Sequence, residues 1–235
     1  MSRPDFDFNS LRELHDSVNK LLDSPDTKLE IIRHGQEKWA HEVSEASLKM
    51  ADSCAAAKDL LLLSKDHLQN LQSAFRRIAA DHGGNHFAPY RHPRKQLKKA
   101  ILKRLDSLKG MKNTCIAAAA AAAPQEDQNL VVVVDLLKQV RSTTLSIVRS
   151  LLSLIALPNS DGKFGSGRKD PVFRLKLRRV DSLSSWEKCE AAEVKLVTKR
   201  LEEVEVMVED MEAELEHMFR RLIGTRASLL NILTT

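Results

Sequence analysis

Val194-Lys-Leu-Val197-Thr-Lys-Arg-Leu201-Glu-Glu-Val204-Glu-Val-Met-Val208-Glu-Asp-Met211-Glu-Ala-Glu-Leu215-Glu-His-Met218-Phe-Arg-Arg-Leu222 is the stretch that decides the fold. Its apolar residues Val194, Val197, Leu201, Val204, Val208, Met211, Leu215, Met218 and Leu222 alternate steps of three and four. That spacing keeps one stripe of a helix on the same side and matches the a and d positions of a heptad. Val206, Met207, Phe219 and Ile223 widen the stripe. A wide stripe suits burial among several helices better than a two-stranded coil. The segment is therefore expected to be a coiled-coil-like stave of the chain's own bundle, its seam available for core or partner packing. The acids from Glu202 to Glu216 fall largely off the seam, the pattern of a solvated face.

Working outward, the rest of the chain shows the same helical spacing between a few breaks. Leu11, Leu14, Val18, Leu21 and Leu22 form one helical face after the capping box Ser10-Leu-Arg-Glu13, and Pro25 stops that helix. A second capping box, Thr27-Lys-Leu-Glu30, opens a long apolar stripe from Ile32 through Trp39, Met50, Cys54, Leu61, Leu71 and Phe75 to Ile78. That stripe predicts one helix of about 50 residues or two collinear pieces, with Gly35 a weak point. A loop over 82–89 separates it from a basic helix carrying Leu97, Ile101, Leu105 and Leu108, which Ala117 to Ala123 can prolong and Pro124 ends.

The run Val131 to Val134 favours extended structure locally, but no partner strand exists elsewhere, so 128–157 is assigned to a helix. Residues 158–180 are rich in Gly, Ser and basic residues and read as a mobile loop, and residues 1–9 as a flexible N-terminus. The last helix is expected to start near Asp181, with Ser184-Ser-Trp-Glu187 as its capping box. The expectation is a single all-α domain over 1–235, an antiparallel bundle of about five helices, two of them long.

Charge is segregated. The formal net charge is +5, but Arg91 to Lys112 holds nine cations and one acid, and Lys163 to Arg179 seven cations and one acid. Glu187 to Glu216 holds eleven acids and four cations. One use of this pattern is internal: the basic third helix lies along the acidic last one. The other is external: one basic stretch, either Arg91 to Lys112 (through Arg91, Arg94, Lys95, Lys98, Lys99, Lys103 and Arg104) or Lys163 to Arg179, contacts a polyanion. Few aromatics accompany them, which disfavours nucleic acid and leaves an anionic membrane surface.

No pattern for chemistry survives. There is no phosphate-cradling glycine loop, no HExxH and no GxSxG. His82, His86 and His92 lack a fourth ligand at zinc spacing, and Cys54, Cys115 and Cys189 form no CxxC. No cofactor, metal or small-molecule substrate is expected, and no enzymatic activity. Three scattered, reduced cysteines, no apolar leader and no uncharged run of about 18 residues suggest an intracellular, cytoplasmic chain. Ser182, after Arg178-Arg-Val-Asp at a helix start, is a candidate phosphorylation site.

Leu11-Arg-Glu-Leu-His-Asp-Ser-Val-Asn-Lys-Leu-Leu22 and Leu215-Glu-His-Met-Phe-Arg-Arg-Leu-Ile-Gly-Thr-Arg-Ala-Ser-Leu-Leu-Asn-Ile-Leu233 resemble the two ends of the plant-specific BYPASS-related family. Leu108-Lys-Gly-Met-Lys112 and Thr144-Leu-Ser-Ile-Val-Arg-Ser-Leu-Leu-Ser-Leu154 resemble it between them. The resemblance implies a link to root and shoot development and no catalytic residues to carry over. The expected function is a non-enzymatic interaction or regulatory protein with unidentified protein partners.

Overall fold

The computed structural model describes residues 6–33, 38–80, 88–119, 128–155 and 191–234. Among these there are six helices and no strand: α1 Phe8–Asp23, α2 Pro25–Arg33, α3 Lys38–Ala80, α4 Ala88–Ala119, α5 Gln128–Ile155 and α6 Ala191–Leu233. The all-α class is as the periodicity implies, with α3 and α6 the two long helices. The expected loop over 158–180, the capping box at Ser184 and the phosphorylation candidate Ser182 lie outside the described residues, as does Gly35.

Helix starts differ from the capping boxes, for local reasons. Asp7, not Ser10, caps α1, and its carboxylate accepts from the Ser10 backbone N–H at 3.2 Å. A carboxylate suits the positive end of the helix better than a hydroxyl does. The Phe6 and Phe8 rings, 5.7 Å apart, pack beside this turn. Helix α1 thus begins inside the segment read as a flexible N-terminus. Pro25 ends α1 as the sequence implies, and it also opens α2 as its first residue, a position where its missing N–H costs nothing. Ser24 before it is extended, and its carbonyl accepts from the Lys28 N–H at 3.0 Å. Thr27 is consequently inside α2 and buried, and the second capping box does not form.

Glu30 caps a different helix. Its carboxylate accepts from the Leu130 backbone N–H at 3.1 Å and from the Asn129 side-chain amide at 2.9 Å. It thereby satisfies an orphan donor at the start of α5 and meets that helix's positive end. With Val133 and Val134 buried beyond this cap, tertiary packing overrides the extended preference of the valine run.

Two compact units account for the fold. One draws on the described residues of 59–104 and 151–213. Its core holds Leu61, Leu71 and Phe75 of α3, Ile101 of α4, Leu151 and Leu152 of α5, and the α6 seam from Val197 to Met211. The other draws on the described residues of 5–58, 105–150 and 214–235. Its core holds Leu11, Val18 and Leu22 of α1, Ile31 of α2, Met50 and Cys54 of α3, Val148 of α5, and Leu215, Met218 and Leu222 of α6. Burying each such aliphatic side chain contributes roughly 1.5–3 kcal/mol. Buried serines of α3 stay satisfied within the helix: Ser53 and Ser64 each donate to the carbonyl four residues back at 2.7 Å.

Every described seam residue from Val197 to Leu222 is buried, and the Val194 side chain lies outside the described residues. The widening is not seen as expected. Val206 is 58% exposed and Ile223 37% exposed, while Met207 and Phe219 are half-buried. The deeply buried stripe is therefore narrow.

Candidate functional site: charged helix faces and a buried polar seam

The acidic flank of α6 is tied to its neighbours. In the first unit Glu205 accepts from the side-chain amides of Gln69 at 2.7 Å and Gln72 at 2.9 Å. Those bonds hold the Glu205 carboxyl below the usual carboxylate range. Lys65 pairs with Glu209 at 2.6 Å, and the hydrogen bond to that carboxylate raises the lysine's pKa. Residue numbers on α3 rise as those on α6 fall, so the two helices run antiparallel there.

In the second unit one guanidinium nitrogen of Arg12, Nη2, donates to both oxygens of Glu214 at 2.5 Å. Arg221 donates to Asp16 at 2.6 Å, and Lys58 to Glu216 at 2.8 Å. Here numbers on α1 and α6 rise together, so α1 runs parallel to α6. The expected solvated face is thus partly a row of inter-helix ties. The described partners of Glu205, Glu209, Glu214 and Glu216 lie on α3, α1 and α6 itself, not on α4.

The second unit also holds a polar cluster that the periodicity passed over. His15 is fully buried, and its Nδ1 lies 3.4 Å from Thr225 Oγ1. The Thr225 hydroxyl donates to Asn19 Oδ1 at 3.3 Å. His15 Nε2 is buried without a hydrogen-bond partner. Burial, and secondarily the Arg221 guanidinium, pull the ring's pKa down to about 4 against the opposing pull of Asp16, so it is neutral at pH 7. The signal was present in the spacing. Thr225 continues the three-four steps of the seam through Leu222, Thr225, Leu229 and Ile232, and His15 occupies the matching place in Leu11, His15, Val18, Leu22.

The predicted polyanion contacts sort by exposure. Lys95, Lys99 and Lys103 are exposed; Arg94, Lys98 and Arg104 are half-buried; the Arg91 side chain lies outside the described residues. Tyr90, at the start of the same helix, stands edge-on to His67 with ring centroids 5.5 Å apart. Burial pushes the Tyr90 hydroxyl up to about 12 and lowers the pKa of His67. The Arg94 guanidinium, packed beside them, is also lowered by burial.

The Cys54 side chain is buried, while Cys115 and Cys189 lie outside the described side chains. His92 and His41 are exposed, and His34, His82 and His86 lie outside the described residues. Among the described residues no group of three His, Cys, Asp or Glu side chains is placed to hold a metal. Among them, too, no helix is long and apolar enough to cross a membrane.

No curated protein and no solved structure matches the chain. The family model described as Protein BPS1 matches residues 7–232, from the cap of α1 to the last turns of α6. The match spans both segments that make the Arg12–Glu214, Asp16–Arg221 and His15–Thr225 contacts, and on it the chain belongs to the Protein BPS1 family, the BYPASS-related family that its two ends resemble.

Proposed function

We propose that this chain is a non-enzymatic regulatory protein of plant development that acts by binding protein partners. Family membership supports the developmental setting. The observation that supports partner binding is Val206. It is the most exposed large aliphatic side chain among the described residues, at 58%. Its helical neighbours three and four residues away are Glu202, Glu203, Glu209 and Asp210, all acids, of which Glu209 also pairs with Lys65. An isolated aliphatic inside an acidic ring contributes nothing to the seam. It suits a partner helix that brings one apolar side chain flanked by cations.

The test is a Val206→Asp chain expressed in plants lacking the native protein. Its unfolding midpoint should match the unsubstituted chain, because the position is on the surface. Cross-linked partners recovered with the unsubstituted chain should be missing from the variant, and root and shoot growth should not be restored. Full restoration of growth with an unchanged partner set sinks the proposal.

A further inference from the structure

Between Arg91 and Arg104, α4 carries seven cations and no acid. The three exposed ones, Lys95, Lys99 and Lys103, share one helical face with Leu102, because these positions recur at steps of three and four. Leu102 stands among them at 45% exposure. Among the described residues no ion pair is found for these three lysines, whereas the acids of α6 meet partners on α3 and α1. The first acid further along the stripe, Asp106, is already paired with Lys109 at 2.9 Å.

The lysines do not serve the helix either. They fall in the N-terminal half of α4, where the macrodipole is already positive, so their charge opposes it. Exposed positive charge that has no ion pair among the described residues and does not complement its helix is available to an external anion.

We propose that the Lys95–Lys99–Leu102–Lys103 stripe is a docking surface for an anionic phospholipid membrane. Lysine ammoniums on long stems reach headgroup phosphates as point charges, and they tolerate a fluid, non-directional array of anions. Leu102 is placed to enter the boundary between headgroups and acyl chains while the lysine stems lie along it. The contact is peripheral, since no described helix is long and apolar enough to cross a membrane. Nucleic acid is a poorer fit. The one tyrosine of α4 is half-buried and packed edge-on against His67, which leaves little of its ring for a base to stack on.

The experiment is co-sedimentation of the full chain with vesicles of phosphatidylcholine alone and of phosphatidylcholine with phosphatidylserine, across a salt series. Binding is expected to the anionic vesicles only and to weaken steeply with salt. Each lysine near an anionic surface is worth about a fivefold change in partition, so Lys95→Gln, Lys99→Gln and Lys103→Gln together should lower it on the order of a hundredfold. Leu102→Gln, which leaves the charge intact, should lower it about fivefold. A control that removes the same charge elsewhere, Lys20→Gln with Lys195→Gln and Lys199→Gln, should retain the starting partition. All variants sit on the surface, and circular dichroism checks that each is folded. Equal binding to neutral vesicles, an equal loss in the control, or a stripe that binds single-stranded RNA more tightly than anionic vesicles at the same salt overturns the proposal.

Discussion

Two stretches of this chain are charged to a similar density and with opposite sign, yet they behave differently. Residues 202–216 of α6 hold eight acids and no cation, and residues 91–104 of α4 hold seven cations and no acid. On α6 several acids face neighbouring helices and are engaged there: Glu205 with Gln69 and Gln72, Glu209 with Lys65, Glu214 with Arg12, and Glu216 with Lys58 and Arg220. On α4 the outermost lysines face solvent on a stripe that also exposes a leucine. A run of like charge is thus not one kind of feature. Flanking a buried seam, it selects which helices become neighbours; on an outer face, it remains free to act on something outside the fold.

The difference can be broken most sharply at matched aliphatic positions. Leu215 is fully buried in the α6 seam between Glu214 and Glu216, whereas Leu102 is half exposed among the α4 lysines. Leu215→Ala should cost about 3 kcal/mol by denaturant unfolding, from lost transfer energy and the cavity left behind. Leu102→Ala should change stability by less than about 0.5 kcal/mol. Equal losses would mean that the two faces are equally structural.

A second contrast lies within the seam itself. His15 is the titratable ring that it admits, and the fold keeps that ring neutral. Its folded pKa is about 4, below the 6.5 of a histidine in water. As pH falls through 6.5 the unfolded chain takes up a proton that the folded chain refuses. Stability is therefore full above that pH and falls progressively towards pH 4, by roughly 3 kcal/mol in all. Chemical unfolding across this range should show the decline, and His15→Gln should flatten it. An unchanged slope in the variant would assign the acid sensitivity to other groups.

The smallest expected effect compares charge with charge. Glu214→Gln weakens the ion pair with Arg12, and because both side chains are partly exposed the loss should be about 0.5 kcal/mol. Lys99→Gln should leave the unfolding free energy within the error of the measurement, since among the described residues no ion pair is found for Lys99. A double-mutant cycle on Arg12 and Glu214 isolates the coupling.

The helical segments were legible because apolar spacing survives in the chain as a pattern. Val197 to Leu222 read as a buried stripe and is one. The valine run of α5 is helical, as the lack of a partner strand in the sequence implies. Helix starts were less legible, because two serine- or threonine-led boxes competed with Asp7 and Pro25, and a motif alone does not rank them. Val206 and Ile223 stay exposed for a related reason: hydrophobicity says that a side chain can be buried, not that a neighbour arrives to bury it. The polar seam of His15, Asn19 and Thr225 was passed over because a search for apolar residues skips the polar member of a periodic series.

By itself, the sequence determined that this chain is helical, that α6 has one buried edge, and that charge of each sign is concentrated in separate segments. These are local properties, carried by spacing and composition. The tertiary structure alone decided that Glu30 caps α5, that α1 lies parallel to the end of α6, and that the acids of α6 find α3 and α1. Only the packed chain brings residues 202 positions apart within hydrogen-bond distance, as it does for Arg12 and Glu214. Which charges are paired inside the fold and which remain exposed depends on those long-range contacts, so it is set when the helices pack.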